Sequence, residues 1–160
     1  MSLADIFDVL PKHQAFTWVP FHPAHVRQMQ IKSQNMTAIS HIIPLEKMLE
    51  AQARHGHAIT AIVHGRPAAC FGAVHIWQGV EEMWLLTEER VRDYPLLMTK
   101  AGKTYRDFRV IAENLHRLQI TVRCEDIRAV RWATALSFEI EGLMKKYGPD
   151  KADFYMMSRS

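Results

Sequence analysis

The stretch from Val80 to Arg117 constrains this chain more than any other. It reads as a strand (Val80 to Leu86), a charged loop (Thr87 to Asp93) and one long helix (Pro95 to His116). Leu97, Ala101, Tyr105, Phe108, Ile111, Ala112 and Leu115 recur at steps of three and four, which gives the helix a core-facing stripe. Lys100, Lys103 and Arg106 fall on its polar side. Leu118 to Val122 then alternates as a strand. Two strands joined through a long helix imply a parallel pair with a right-handed crossover. The loop leads into a helix N-terminus, whose free N–H groups and positive dipole end favour phosphate. It carries Arg90 and Arg92 but no glycine.

The rest of the chain supplies antiparallel neighbours. Residues 1 to 15 read as an appended segment, with Leu3, Ile6, Phe7 and Leu10 at helical spacing and Pro11 as the stop. That face could pack on its own domain or on a partner chain. Residues 16 to 160 read as a single domain. Phe16 to Val19 is a short strand, His22 to Lys32 a helix, and Gln34 to Thr37 a polar loop. Pro44 starts the next helix, with Leu45, Met48 and Leu49 on one face and Gly56 past its end. Ala58 to Val63, Ala68 to Trp77 and Val80 to Leu86 are strands joined by tight turns at His64-Gly65-Arg66-Pro67 and Gln78-Gly79. Asp126 is an N-cap for a helix to Leu136, and Glu139 to Ser158 closes as a hairpin. The expected class is α+β, a mostly antiparallel mixed sheet with one parallel pair, flanked by helices.

Composition excludes more than it selects. A net charge of +3 is too small to indicate nucleic acid by itself. No apolar run approaches the ~18 residues that span a bilayer. Cys70 and Cys124 are unpatterned, which suits a reduced setting. Nine histidines invite a metal reading. His22 and His25, and His55 and His57 with His64, are the only clusters, and neither has a zinc spacing, so no metal is expected.

The element order, with Asp126-Ile127-Arg128-Ala129 and the run to Phe138, resembles the acyl-CoA N-acyltransferase (GNAT) superfamily. The family pattern there is Asn-x-x-Ala, a Tyr, then Gly-Phe. Ala129 and Phe138 match, whereas Asp126, Ala133 and Ser137 stand in the Asn, Tyr and Gly positions. Within the superfamily, Trp84-Leu85-Leu86-Thr87-Glu88-Glu89 looks similar to acetyltransferase-like internal virion proteins of tailed bacteriophages. The resemblance implies acetyl-CoA held between two splayed strands, here Val80–Leu86 and Leu118–Val122, and acetyl transfer to an amine. A non-enzymatic virion protein that keeps the fold is the alternative. The resemblance also implies a host-cytoplasmic or virion-interior location, virion partners in the second reading, and a homodimer.

Carried over residue by residue, the resemblance names Trp84, Leu85, Leu86, Arg90, Val91, Arg92, Tyr94 and Thr121 as cofactor-binding. The family's phosphate loop uses glycines because backbone amides must approach phosphate closely. Pro95 and Leu97 occupy those positions here, and Pro95 also lacks an N–H. Glu82 is the candidate base, on the same strand face as Trp84 and Leu86; Glu81 points the other way. Both glutamates could instead be solvated residues after a turn. Ala133 cannot act as the family's acid, so Tyr147 is the candidate, with Tyr105 and Tyr94 as alternatives. Trp77 and Trp84 are expected to pack in the core, or to form a substrate platform.

Overall fold

A computed structural model of the chain describes residues 3–31 and 45–160. The expected Gln34–Thr37 loop, the Pro44 helix start and the end of the preceding helix at Lys32 lie outside the described residues. In chain order the elements are α1 (Leu3–Val9), β1 (Phe16–Pro20), α2 (Pro23–Arg27), α3 (Leu45–His55), β2 (Ile59–Val63), β3 (Arg66–Trp77) and β4 (Val80–Thr87). A 3-10 turn (Glu89–Asp93) leads to α4 (Pro95–Glu113), β5 (Arg117–Arg123), α5 (Ile127–Ala135), β6 (Glu139–Met144) and β7 (Phe154–Arg159).

The seven strands form one sheet in the order β1-β2-β3-β4-β5-β7-β6. Every neighbouring pair is antiparallel except β4 and β5. This is the mixed sheet that the crossover through α4 requires. The main core lies under α4, where Ala101, Tyr105 and Phe108 meet Phe71, Met83 and Ile120. Ile6 and Leu10 are buried in the same core, so α1 packs on its own chain. On the opposite sheet face Phe21, Met29, Met48, Leu49, Cys70, Trp84 and Leu86 form a second cluster. Gly72 admits the Trp84 indole there, since a Cβ at that position would overlap the ring.

The helix stripe differs from the expected one. Ile111 is 62% exposed, whereas Arg106 and Arg109 are buried. Arg106 is covered by α5, which lies against the side of α4 that reads as polar, and Arg109 by Glu81 of β4. Gly102 lets α5 approach: a Cβ there would come within 2.6 Å of Leu136 Cδ2 and Trp132 Cζ2. Arg106 then donates to the Leu136 carbonyl, satisfying the end of α5. Trp77 also departs from core packing, at 65% exposed, while Trp84 is fully buried.

Candidate active site

The parallel ladder between β4 and β5 is short. It pairs Val80 with Arg117, Glu81 with Leu118 and Glu82 with Gln119. Beyond Glu82 both strands continue, to Thr87 and Arg123, with no further pairing between them. A cavity of about 410 Å³ fills the gap. Four consecutive residues of β5, Ile120, Thr121, Val122 and Arg123, line it. Alternating side chains would give every second residue, so the strand borders the cavity with its edge. β5's other edge is paired with β7 along Leu118 to Arg123.

The walls come from the elements that follow each strand. Leu85 and Thr87 of β4, Val91 and Arg92 of the 3-10 turn, and Pro95, Met98 and Thr99 of α4 form one side. Arg128, Arg131 and Trp132 of α5 form the other. Trp132 Nε1 donates to the Met98 carbonyl at 3.1 Å and ties the two helices together. Arg92, also on the lining, donates to both carboxylate oxygens of Asp126 at 3.2 and 3.0 Å. Asp126 also accepts from the Ala129 amide at 3.1 Å, so it caps α5 as its sequence position requires.

Of the residues expected to bind cofactor, Leu85, Val91, Arg92 and Thr121 meet at this cavity. The others lie elsewhere. Trp84 and Leu86 project to the opposite sheet face and are fully buried in the second cluster. Arg90 turns toward the β2–β3 connection, donating to the carbonyls of Val63, Arg66 and Pro67 and pairing with Glu88. Those carbonyls need donors, and the guanidinium supplies several at once. Tyr94 packs edge-on against Phe16 and shares a hydrogen bond of 3.1 Å with His64. Sequence reasoning missed Met98, Trp132, Arg128 and Arg131. The three-residue step from Arg128 to Arg131 was the available signal; only packing shows which side of the helix faces the gap.

Glu82 sits where the strands part. It is 6% exposed, so it is not a solvated residue, and neither is Glu81 at 3%. Gln119 Nε2 donates to Glu82 Oε1 at 2.8 Å. Arg117 Nε donates to Gln119 Oε1 at 2.9 Å and its guanidinium pairs with Glu141. Burial pushes the Glu82 carboxyl above its ordinary range, partly offset by the Gln119 hydrogen bond. Tyr147 is 39% exposed, and its phenol is pushed up by burial and by the nearby Glu82 carboxylate. Tyr105 is fully buried under the sheet, so it is a packing residue, as is Tyr94.

Glu81 is held apart from this chemistry by a buried pair with Arg109, at 2.9 and 2.8 Å. Two of the described histidines act in capping and packing. His22 caps α2 through Ala24, and His25 Nδ1 lies 2.8 Å from Thr60 Oγ1. No group of three or more His, Cys, Asp or Glu residues able to hold a metal occurs among the described residues. Among the described residues no helix is long and apolar enough to cross a membrane.

No family model matches the sequence, and no curated protein sequence matches it. Solved structures do match the fold. A ribosomal L7/L12 α-N-protein acetyltransferase, RimL, in complex with coenzyme A aligns with a TM-score of 0.69 at 15% identity, covering 94% of this chain and 96% of that one. A GNAT-family acetyltransferase from Bacillus anthracis aligns at 0.66 and 12% identity, covering 92% and 96%. The structure of yncA from Salmonella typhimurium with its cofactor acetyl-CoA aligns at 0.62 and 12% identity, covering 92% and 94%. By these likenesses, together with the short parallel ladder and the gap beyond it, the chain has the GNAT acetyltransferase fold.

Proposed function

We propose that this protein is an N-acyltransferase that takes an acetyl group from acetyl-CoA and passes it to an amine. The observation that carries the reading is the splayed β4–β5 pair, with a cavity in the gap and a buried glutamate, Glu82, on the last pair of the ladder. The residues present fit such a cofactor in part. Leu85, Val91, Met98 and Ile120 offer apolar walls for an uncharged arm, and the open edge of β5 offers backbone groups to an amide-bearing chain. Pro95 withholds one N–H from the phosphate end. Bound acetyl-CoA would supply a reactive thioester carbonyl.

The chain's own groups would move the protons. Glu82, with its affinity for protons raised by burial, accepts a proton from the acceptor ammonium, directly or through water. Gln119 holds that carboxylate in place. The Tyr147 phenol keeps its proton at neutral pH and can give it to the departing sulfur. The amine nitrogen forms the new bond to the acyl carbon as the carbon–sulfur bond breaks.

Pro95 and Ala133 favour a second reading, in which the fold persists without turnover as a structural module, such as an internal virion protein. Thiol release from acetyl-CoA in the presence of a panel of primary amines decides between them. The enzyme reading expects release that falls by about 100-fold or more in Glu82→Gln, the usual scale for a general base. Release unaffected by that substitution overturns the role of Glu82. No release with any amine favours the structural module.

A further inference from the structure

Arg128 and Arg131 stand in the first turns of α5, three residues apart and so on one side of the helix. Both are exposed, and both line the cavity between β4 and β5. Neither has an ionic or hydrogen-bonded partner among the described residues. The other guanidiniums at the cavity are taken: Arg92 by Asp126 and Glu89, Arg123 by Asp150.

A cation in the first turn, as Arg128 is, with a second one turn on at Arg131, is unfavourable without an anion. A helix N-terminus is the positive end of the backbone dipole and favours acids. α5 has no acidic residue in its first turn. Its capping carboxylate, Asp126, is already shared between Arg92 and the Ala129 amide. Across the cavity Pro95 withholds a backbone donor at the start of α4. One backbone donor is thus missing on the α4 side, and two guanidiniums are unused on the facing helix.

We propose that Arg128 and Arg131 hold the phosphate of a phosphopantetheine thioester, replacing backbone amides of the loop as the main anion contact. This rests on the acyltransferase reading. A phosphate group offers three acceptor oxygens, and two guanidiniums meet them with paired donors in a fixed geometry. Met98, Leu85 and Ile120 continue the same cavity inward, where the uncharged arm would lie. The same phosphate occurs on coenzyme A and on a prosthetic arm, so the ligands tested must differ at that group.

Calorimetric titration of the native protein and of R128Q/R131Q with acetyl-CoA, acetyl-4′-phosphopantetheine and acetyl-pantetheine tests the assignment. The double variant should bind the first two at least tenfold more weakly. Acetyl-pantetheine, which has no phosphate, should bind both proteins alike or neither. A charge-conserving R128K/R131K variant should retain part of the affinity, and its melting curve shows whether folding is intact. Unchanged acetyl-CoA affinity in R128Q/R131Q overturns the proposal and leaves the acyltransferase reading standing. Loss for acetyl-CoA alone moves the pair to the nucleotide phosphates and also overturns it. Equal loss for acetyl-pantetheine shows a structural effect and overturns it as well. Failure of the native protein to bind any of the three removes the acyltransferase reading and the proposal together.

Discussion

Gln119 Nε2 lies 2.8 Å from Glu82 Oε1, across the last pair of the parallel ladder. Its orientation is fixed from behind. Arg117 can only donate, so the Gln119 oxygen must face Arg117 and the amide nitrogen must face Glu82. The glutamate is therefore buried, held by a neutral donor, and without a cationic partner among the described residues. That combination leaves it basic.

Gln119→Leu removes the one interaction that holds the Glu82 carboxyl down, so its affinity for protons should rise further. The acid limb of the pH–rate profile should move to higher pH, with the rate at high pH changed less. An acid limb that does not move would show that Glu82 is not the group being titrated.

Glu82→Gln should leave the protein as stable at neutral pH, or more stable. The folded-state pKa is raised, so the native state binds the proton more tightly than the unfolded chain. Its contribution favours folding below the unfolded value and is lost as pH rises through the folded one. Removing the carboxylate should thus raise the melting temperature at pH 8 by up to ~2–4 °C, the scale of about 1 kcal/mol at this size. Little gain should remain at pH 4. A clear loss of stability at pH 8 would contradict the desolvation argument.

Arg109→Met should destabilise strongly, by about 3–5 kcal/mol, because Glu81 stays buried without a partner. Adding Glu81→Met should recover most of that loss, since the pair's desolvation cost disappears with it. Urea melts of the two single variants and the double variant measure the coupling. A double variant as unstable as Arg109→Met would show that the arginine's packing over Phe108, 5.3 Å from its ring centre, matters more than its charge.

His57 should make the fold sensitive to mild acid. Burial, Arg109 and His55 lower its pKa to about 3. It is neutral in the folded protein and charges on unfolding, so stability falls as pH drops below about 6.5 and continues to fall toward 3. The slope is at most about 1.4 kcal/mol per pH unit. His57→Gln should flatten the stability curve between pH 6 and 4; an unchanged slope there would place the acid sensitivity elsewhere.

Much of the fold was legible because its signals are local. The alternation of β5, the Asp126 cap and the turn residues between β2, β3 and β4 each act over a few residues. The stripe of α4 was only half legible. Arg106 reads as polar, yet α5 buries it, and Arg109 is buried against Glu81; neither partner is near in sequence. The site shows the same limit. Leu85, Val91, Arg92 and Thr121, which the family resemblance names, do line the cavity in the strand gap. Arg90 does not, since the adjacent β2–β3 turn decides where its side chain goes. Trp84 and Leu86 alternate with Leu85 and so face the other side of the sheet.

The central claim is that the gap between β4 and β5 binds an acyl thioester. Calorimetric titration of the purified protein with acetyl-CoA tests it most directly, with thermal melts alongside. At a hundredfold excess over the dissociation constant, specific binding should add roughly 2.7 kcal/mol of stability. Saturable heat with one site per chain and a matching rise in melting temperature is the predicted result. No heat and no shift at millimolar acetyl-CoA would contradict the account.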